Sequence, residues 1–372
     1  MKIAFIGSRG VPALYGGFET ATEEIGRRLA DRGHQVTVYC RPGNGDRSEK
    51  SYRGMRKIYV PCVKKKSLET LTHTFVALLH AFFCRYDVLI IMNPANGPLC
   101  IIPRLRMTPF ALHLDGLDWE RSRWPKYGQK FIRFGAWCST KLAPALIADS
   151  RGIQDYYQEH WNRETVYASY GADIQEPTSG DRLEELGLDS GQYLLVVARL
   201  EPENRTIEII RAYQEINTEL RLVIVGDTNY ESEYIRELKE QESDFIWFLG
   251  GIYDAELLET LFQHCQLYLH GHSVGGTNPV LLQAMAASCA ILCLNVSFNE
   301  EVIGDTGRSF EQDQESLEST LKDMLENPVD LESYRRDARI RVESEYTWEG
   351  VTDIYEDLCK QLGNGSESDK QA

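Results

Sequence analysis

Short apolar runs alternate with amphipathic stretches along most of this chain. The run KIAFIG at 2–7 is rich in β-branched and aromatic residues and ends in glycine. The next stretch, FETATEEIGRRLADRGH, has Ala21, Ile25 and Leu29 at helical spacing, and QVTVYC then returns to a strand pattern. A strand, a helix and a second strand in this order predict a βαβ unit that opens a parallel sheet.

The same alternation continues and then restarts. The next predicted strands are DVLIIMN (87–93), PFALHLDG (109–116) and ALIADS (145–150). The pattern begins again at QYLLVVARL (192–200) and continues through RTIEIIRAYQEI, LRLVIVGD, FIWFLGGI, CQLYLHG and AILCLNV. We therefore predict an α/β protein with two Rossmann-like, doubly wound parallel-sheet domains, residues 1–175 and 180–345. Pro177, Ser179 and Gly180 mark the linker between them.

The end of the chain has a pattern of its own. YTWEGVTDIYEDLCKQL (346–362) is amphipathic, with apolar residues at helical spacing; they are Trp348, Val351, Tyr355, Leu358 and Leu362. We expect this helix to pack back on the first domain. The last residues, GNGSESDKQA (363–372), are polar and predict a disordered tail.

Size and composition fit a globular protein of two domains. The 372 residues are 42% apolar and 10% aromatic. Lys2 is followed by only five residues, IAFIG, before the loop that holds Arg9, which is too short for a signal peptide. The longest apolar run, FVALLHAFFC (75–84), is below the ~20 residues of a membrane span. Nine scattered cysteines without a CxxC pair predict reduced, buried thiols, so a cytoplasmic protein is expected.

The net charge of −16 conceals two unlike halves. Residues 1–175 hold 25 Lys and Arg against 16 Asp and Glu, a net of +9, which leaves −25 for the remainder. Without RNA-binding or zinc-finger signatures, the basic half does not indicate nucleic acid; anionic lipid or an anionic lipid-linked substrate would serve. Lys64–Lys66 precede the apolar part of VKKKSLETLTHTFVALLHAFF (63–83), so a peripheral contact with an anionic membrane is one interpretation. A solvated loop before a core helix is the other.

Three glycine-containing loops follow predicted strands: GSRGVPALYGGFE (7–19), ARLEPENRT (198–206) and GGTNP (275–279). Ligands of doubly wound sheets bind beyond the carboxyl ends of the strands, where helix N-termini direct N–H groups at anions. Bare backbone lets phosphate oxygens approach these groups closely. Each glycine could also serve a tight turn. Together the loops predict a phosphate-bearing ligand bound between the domains.

Two common phosphate-binding motifs do not fit. Dinucleotide binding needs G-x-G-x-x-G after the first strand and an acidic residue at the end of the second. Here Gly7 and Gly10 have the wrong spacing, Pro12 stands where the helix should begin, and Arg41 replaces the acid. A P-loop, G-x-x-x-x-G-K-[ST], is also missing from the sequence.

Four motifs together carry a family resemblance: GSRGVPALYGGFET…GHQVTVYCR, HLDGLDWERSRW, ARLEPEN and HGHSVGGTNPVLLQAMA. With them, over nearly all of residues 1–362, the chain resembles glycosyltransferases of family 4, and its first domain resembles a rhamnosyltransferase-like subgroup. The resemblance implies the GT-B fold, in which two Rossmann-like domains face a cleft. It implies a nucleotide sugar bound mainly to the second domain and an acceptor bound mainly to the first.

The resemblance also implies donor-binding residues. Gly16 and Gly17 would bring backbone amides near the donor diphosphate, and Arg199 matches the arginine that contacts it. The position that usually holds lysine is Asn204, which stabilises a leaving diphosphate less well than a cation. The adjacent Arg205 is expected to take over that role.

Two glutamates of the family pattern, eight positions apart, correspond to Gly275 and Gln283. Gln283 can still hydrogen-bond a ribose diol; otherwise it is an exposed polar residue of a helix. The N–H groups of Thr277 and Asn278 remain for a phosphate or sugar hydroxyl. Further donor contacts implied by the family are the base loop at Ile252, with Tyr253 stacking, and Glu301. The base loop could equally be a simple strand end.

On the other side of the reaction, His113 matches a histidine that faces the transferred sugar, and with Arg199 it forms the predicted catalytic pair. The residues expected on the acceptor side are Glu19, Asp115, Trp119 and Arg121. His270 and His272 lie on one face of a strand and, without a third ligand, predict cleft lining and no metal.

The resemblance implies a retaining transfer without a cofactor. It also implies independence from metal, and the sequence contains no D-x-D motif, the metal site of the other large transferase fold. The expected donor is a UDP-sugar, with dTDP-rhamnose next, and the expected acceptor is a glycan or a polyprenyl-linked sugar of bacterial exopolysaccharide synthesis. Two alternatives remain open. One is a sugar-nucleotide epimerase of the same fold, which would need carboxylates around the sugar; the other is a catalytically degenerate sugar-nucleotide-binding protein.

Overall fold

The computed structural model describes residues 1–14, 16–65, 68–114, 116–121, 124–227 and 232–368. The chain forms two compact units: unit 1 is Met1–Tyr170 together with the segment from Trp348 onward, and unit 2 is Gly171–Thr347. The predicted linker at 176–180 therefore lies inside unit 2. The reason is that Ala172, at the start of unit 2, forms a parallel bridge with Thr347 at its end.

Unit 1 is built on one eight-stranded sheet. Its strands are β1 (Lys2–Ile6), β2 (Gln35–Cys40), β3 (Ser51–Tyr52), β4 (Met55–Tyr59), β5 (Val88–Met92), β6 (Phe110–His113), β7 (Ala145–Ala148) and β8 (Val166–Tyr167). They lie in the order β3-β4-β2-β1-β5-β6-β7-β8, and only the β3–β4 pair is antiparallel. The central strands are buried on both faces, which is why their sequences are continuous apolar runs.

The helices of unit 1 cover both faces of this sheet. They are α1 (Gly17–Asp31), α2 (Glu69–Phe83), α3 (Ile101–Leu105), α4 (Lys126–Leu142) and α5 (Arg151–Trp161), with 3-10 turns at Pro94–Cys100 and Asp118–Glu120. The crossover from β1 to β2 runs toward the β3 edge of the sheet. The crossovers that follow β4 all run the other way, toward the β8 edge. Since parallel crossovers are right-handed, α1 covers one face and α2 to α5 cover the opposite face.

Unit 2 is a six-stranded, wholly parallel sheet. Its strands are β9 (Tyr193–Val197), β10 (Arg221–Val225), β11 (Ile246–Gly250), β12 (Leu267–His270), β13 (Ile291–Leu294) and β14 (Arg308–Phe310), in the order β11-β10-β9-β12-β13-β14. Its helices are α6 (Asp181–Glu184), α7 (Thr206–Glu215), α8 (Glu233–Lys239), α9 (Ala255–His264), α10 (Pro279–Ala286), α11 (Ser297–Ile303), α12 (Gln314–Glu326) and α13 (Pro328–Glu345), with a 3-10 turn at Pro202–Asn204.

Each sheet reverses its strand order once, and this positions the loops of interest. In unit 1 the reversal lies at β1, between β2 and β5; in unit 2 it lies at β9, between β10 and β12. A reversal opens a crevice at the carboxyl ends of the two central strands, where ligands of such sheets bind. The loops after β1, β9 and β12 are the three glycine loops predicted from the sequence, and they lie at these crevices.

The last helix, α14 (Trp348–Ser368), belongs to unit 1 although it follows unit 2 in the chain. Its apolar face is buried through Trp348, Val351, Tyr355, Leu358 and Cys359. The backbone of residues 363–368 continues this helix, where the sequence predicted a disordered tail. The helix continues because helical hydrogen bonds propagate from an anchored segment more readily than they nucleate.

All nine cysteines are free thiols; Cys62 and Cys84 are half-buried and the others are buried. Among the described residues, no helix combines the length and the apolar character that crossing a bilayer requires.

Candidate functional site

Two loops of unit 2, those after β9 and β12, are joined at the strand reversal. The amide and the hydroxyl of Ser273 both donate to the carbonyl of Glu203, at 2.9 and 2.8 Å. A Cβ on Gly271 would lie 2.4 Å from the carbonyl oxygen of Asn204. Only glycine at position 271 therefore allows the two backbones to come this close.

The loop after β12 presents unoccupied backbone donors. The amides of Gly275, Gly276 and Asn278 donate no hydrogen bond to any other described part of the chain. The Asn278 side chain caps α10 by accepting from the Val280 amide at 3.0 Å, and Pro279 has no N–H to offer. Three bare amides beside a helix start form a cradle for an anion. Thr277, also predicted here, is buried.

Arg199 carries a cation on the loop after β9, which is joined to the loop after β12. Its side chain is 30% exposed, and its closest described acidic partner is Glu201 at 3.7 Å. The backbone of its loop is held by Asn204, whose Nδ2 donates to the Arg199 carbonyl at 2.7 Å. Arg199 thus remains accessible to a ligand while its backbone is held in place.

The structure corrects the predicted roles of Asn204 and Arg205. Asn204 is buried and its amide group is used to hold the Arg199 carbonyl, so it acts on the loop and does not face a ligand. The Arg205 guanidinium donates to the Gln312 carbonyl at 2.6 Å and lies 3.9 Å from Glu208. Arg205 is therefore engaged by its own unit, and the expectation that it replaces the family lysine is not supported by this geometry.

Gln283 is the exposed residue of an otherwise buried segment of α10. Leu281, Leu282, Ala284 and Met285 are all fully buried, whereas Gln283 is exposed. The helix rotates by about 100° per residue, so this one position faces away from the core. Its amide is available for a ligand hydroxyl.

A buried polar layer supports the loop after β12. The rings of His270 and His272 stack at 4.2 Å, and His270 Nδ1 lies 3.0 Å from the Tyr268 hydroxyl. Burial lowers the pKa of His270 to about 3, so its ring is neutral. Asn299 donates to the carbonyls of His272 (3.1 Å) and Leu294 (2.9 Å). Sequence reasoning missed Asn299, because nothing in the sequence shows which carbonyls its side chain reaches.

The other predicted donor contacts in unit 2, Ile252, Tyr253 and Glu301, differ in how far they are exposed. Gly250 has φ 69°, and Tyr253, which is exposed, lies with its ring over Gly251. Ile252 is half-buried beside it. This loop at the carboxyl end of β11 has the exposed ring that stacking on a base requires. Glu301 is half-buried in α11, and its carbonyl accepts from Arg341 and from the Tyr346 hydroxyl, both at 3.0 Å.

In unit 1 the loop after β1 is held by carboxylates of the first helix. Glu19 accepts from the Arg9 amide and Glu23 from the Ala13 amide, both at 2.7 Å. Burial raises the pKa of Glu19, and the Arg9 amide partly offsets this. Glu19 was predicted on the acceptor side; the structure instead gives this buried side chain the task of bracing the loop.

The same loop leads into α1 with bare amides. Gly16 has φ 109° and, as the N-cap, offers no side-chain acceptor. The amides of Gly17 and Phe18 donate no hydrogen bond within the described chain. A Cβ on Gly17 would lie 2.9 Å from the Tyr170 hydroxyl, so a larger residue there would force the Tyr170 side chain to shift. The predicted pair Gly16 and Gly17 therefore forms a second helix N-terminus that can accept an anion.

His113 is enclosed, contrary to its predicted place facing a sugar. It is 1% exposed and is surrounded by Phe18, Tyr170 and Tyr355, with ring centroids 5.3 to 6.3 Å away. Its Nδ1 donates to the Leu114 carbonyl. Burial lowers its pKa to about 4. In this structure His113 is a neutral core side chain at the end of β6.

The remaining acceptor-side predictions are also corrected or lie outside the described residues. Trp119 is in the hydrophobic core against Tyr156 and Trp161, so it packs and does not frame an acceptor. Arg121 is buried and paired with Asp118 at 2.6 Å. Asp115 lies outside the described residues. Sequence reasoning placed these side chains by motif and could not see which way the turn directs them.

The described residues contain no group of three or more His, Cys, Asp or Glu side chains arranged to hold a metal ion. Independence from metal stays a prediction.

Two family models match the chain. Residues 15–173 match Glycosyltransferase Family 4, and residues 183–341 match Glycosyl transferases group 1. The chain is 29% identical over 179 residues to the N-acetylgalactosamine-N,N'-diacetylbacillosaminyl-diphospho-undecaprenol 4-alpha-N-acetylgalactosaminyltransferase of Campylobacter jejuni. That match covers 47% of this chain and 48% of the relative, so it spans about half of each protein.

Solved structures match over nearly the whole chain. Sucrose-phosphate synthase from Thermosynechococcus elongatus superposes with a TM-score of 0.82 and 18% identity, over 98% of this chain and 99% of that one. Anabaena HepE in complex with UDP superposes with a TM-score of 0.79 and 18% identity, over 97% and 100%. At these identities the likeness establishes the fold, and the predicted pair of parallel-sheet α/β domains is confirmed. The rhamnosyltransferase-like subgroup stays a prediction. The chain thus joins a glycosyltransferase family 4 domain to a glycosyl transferases group 1 domain in the GT-B fold.

Proposed function

We propose that this protein is a retaining, metal-independent glycosyltransferase that moves a hexose from a UDP-sugar to a glycan or polyprenyl-linked acceptor in bacterial polysaccharide synthesis. The observation that carries the proposal is the row of bare amides at Gly275, Gly276 and Asn278. It lies on a loop joined through Ser273 and Glu203 to the loop of Arg199. An anion bound there would meet backbone donors and a guanidinium together.

This arrangement suits a departing nucleoside diphosphate. Negative charge grows on the β-phosphate as the sugar leaves, and fixed donors stabilise that charge without reorganisation. Arg199 and the amides would then do the work that a metal ion does in other transferases. Gln283 would hold the ribose hydroxyls, and the Ile252–Tyr253 loop would hold the base.

The choice of donor and acceptor rests on the relatives. HepE superposes on this chain and is bound to UDP, which supports uridine ahead of thymidine; dTDP-rhamnose is the next candidate. The C. jejuni relative is named for a diphospho-undecaprenol acceptor. These names support our proposal that the protein acts on a polyprenyl-linked sugar at the cytoplasmic face of the membrane.

In the proposed reaction the bond between the anomeric carbon and the β-phosphate oxygen breaks. A bond from the acceptor hydroxyl to that carbon forms on the same face. The hydroxyl proton passes to a phosphate oxygen, so no protein nucleophile is needed. Since His113 is buried and neutral, it is given no proton-transfer role.

The test is a thermal-shift screen with UDP, dTDP, GDP and ADP, followed by sugar nucleotides of the base that binds. At a hundredfold excess over Kd, a ligand adds about 2.7 kcal/mol to stability, or roughly 5–10 °C in Tm. UDP is expected to give the largest shift. The best UDP-sugar is then assayed with a polyprenyl-diphosphate-linked sugar, in buffer with and without EDTA. The anomeric configuration of the product is read by NMR.

A folded protein that shows no shift with any nucleotide would overturn the donor site. An inverted product would overturn the retaining mechanism, and loss of turnover in EDTA would overturn metal independence.

A second candidate is a sugar-nucleotide-binding protein without transfer activity. It is favoured by two departures from the family pattern: position 275 has no side chain, and Asn204 is used within the loop. Such a protein would show the nucleotide shift and protect the donor from hydrolysis, yet transfer sugar to no acceptor.

A further inference from the structure

Large apolar side chains are exposed on the face of unit 1 covered by α2, α3 and α4. On α2 they are Phe75, Leu79 and Phe83, at intervals of four residues, and Phe83 is 82% exposed. This spacing forms a stripe along one side of the helix. The opposite side, with Ala77, Leu78 and Ala81, is buried in the core.

The next two helices carry the same feature. Leu105, the last residue of α3, is 72% exposed, and Met107, two residues beyond it, is 77% exposed. On α4 the rings of Phe131, Phe134 and Trp137 are exposed, and the last two stack with centroids 6.0 Å apart. The buried side of α4 is lined by other residues, so the core does not need these rings.

The three helices form one continuous surface. They lie on the same side of the sheet, and α2 packs on α3 while α4 packs on the 3-10 turn that leads into α3. The Arg106 guanidinium lies 5.3 Å from the centroid of the Phe82 ring of α2. Arg104 donates to the Leu142 carbonyl at the end of α4, at 3.1 Å. We call this surface the α2–α4 face.

Exposure of this kind is concentrated in unit 1. In unit 2 the exposed large apolar side chains among the described residues are fewer: Phe245 and Tyr253 flank β11, and Val329 and Ile340 lie eleven residues apart on α13. Contiguous apolar patches on a soluble surface mark a site of interaction.

The α2–α4 face is also basic. Its exposed cations are Arg85, Arg104, Arg106, Lys126, Lys130, Arg133 and Lys141. None of these forms an ion pair within the described residues, and helices α3 and α4 contain no Asp or Glu. The acid at the start of α2, Glu69, is paired with Arg41 at 3.3 Å. The positive charge of the face is therefore uncompensated.

We infer that the α2–α4 face binds the surface of an anionic lipid bilayer. Its aromatic and aliphatic side chains would enter the boundary between headgroups and acyl chains, and its cations would meet lipid phosphates. Long Lys and Arg stems let the charges stay in the headgroup layer while apolar neighbours sink below it. Lys64 and Lys65 of the basic run precede α2 in the chain.

Membrane binding by the α2–α4 face is inferred from its exposed apolar and basic side chains alone. The role we give to that binding, access to a polyprenyl-linked acceptor, rests on the proposed function. A protein held on the membrane by unit 1 would meet a polyprenyl-linked acceptor in the plane of the bilayer. Donor binding by unit 2 does not depend on the α2–α4 face, so the two proposals fail separately.

The experiment is co-sedimentation of the full chain with phosphatidylcholine vesicles, with and without phosphatidylglycerol. Binding is expected only with the anionic lipid, and it should weaken as salt rises. Two variants test the face: Leu105→Ser with Met107→Gln removes apolar contact, and Lys130→Glu with Arg133→Glu reverses charge. Since each basic residue near an anionic surface contributes about a fivefold factor in affinity, the charge variant should bind at least about 25-fold more weakly. The apolar variant should bind about tenfold more weakly or worse.

Matched controls lie in unit 2, where Val329→Ser and Lys322→Glu change exposed side chains of the same kinds. Both controls should bind vesicles like the unaltered protein. All four variants should keep the thermal shift given by UDP, which separates a failed surface from a failed donor site. Binding that ignores phosphatidylglycerol, or test variants that bind like the controls, would overturn the inference. Dimers that are dissociated by Leu105→Ser with Met107→Gln, without vesicle binding, would instead assign the face to a second copy of this chain.

Discussion

Arg199 and Asn204 lie five residues apart in one loop, and the same family pattern predicts a donor-binding role for both. The structure separates them because their surroundings differ. The Arg199 side chain is partly exposed, while Asn204 is buried and donates to the Arg199 carbonyl. Motif position indicates which residues are near a site. Only the direction of each side chain decides which of them can touch a ligand.

Arg199→Ala is expected to weaken binding of the best nucleoside diphosphate about tenfold to a hundredfold. The reason is that a hydrogen bond to a charged group contributes about 1.5–3 kcal/mol. Isothermal titration calorimetry measures the change. Arg211→Ala is the matched control, since that exposed arginine lies on α7 and is paired with Glu237. Equal affinity in the Arg199 variant would remove this side chain from the donor site.

Helices α1 and α14 are far apart in sequence and are tied by ion pairs within unit 1. Arg32 meets Glu349, Asp353 and Glu356 at 2.7, 2.7 and 2.8 Å. Arg28 meets Glu349 at 2.9 Å. Periodicity predicts both helices and the apolar side of α14. It could not predict the ion pairs, because they depend on how the two helices are aligned.

The pH dependence of stability follows from one of these acids. Hydrogen bonds from Lys360 first, and then His34 and Arg32, lower the pKa of Glu356 from 4.5 to about 2. A lowered carboxyl pKa stabilises the fold above pH 4.5, and that contribution is lost as the pH falls toward 2. Glu356→Gln should therefore lower Tm near neutral pH and flatten its decline between about pH 5 and pH 3.

Thermal unfolding followed by circular dichroism across this pH range checks that expectation. Glu326→Gln is the control, because the exposed Glu326 side chain lies 3.9 Å from the exposed Lys322 side chain on α12 of unit 2. If the Glu356 variant declined with pH as steeply as the unaltered protein, the ion pairs of α14 would contribute no pH-dependent stability.

For the molecule as a whole, the helix α14, which follows unit 2 in the chain, contributes to the stability of unit 1. The side chains of α14 that are buried in unit 1 include Trp348, Val351, Tyr355 and Leu358. Each contributes about 1.5–3 kcal/mol by burial. Their sum is comparable with the whole stability of a domain, about 5–15 kcal/mol.

A chain that ends at Thr347 should therefore lose the native state of unit 1 and keep that of unit 2. Hydrogen exchange measured by mass spectrometry should show lost protection in β1 and β5 and retained protection in β9 and β12. A chain that ends at Asn364 keeps the buried side of α14 and serves as the control. Full protection of β1 in the shorter chain would show that unit 1 does not need the helix.

The sequence by itself determined the two parallel sheets, because strands buried on both faces must be continuous apolar runs and their crossover helices must be amphipathic. KIAFIG and QYLLVVARL show this directly. It also located the three glycine loops, since backbone that approaches other backbone closely needs glycine, as at Gly271. Only the tertiary structure decided that His113, Trp119 and Glu19 are enclosed and that Arg205 is engaged, and that the apolar residues of α4 divide between a core and an exposed face. These outcomes depend on which elements pack against which, and a side chain's neighbours come from distant parts of the chain that no local pattern specifies.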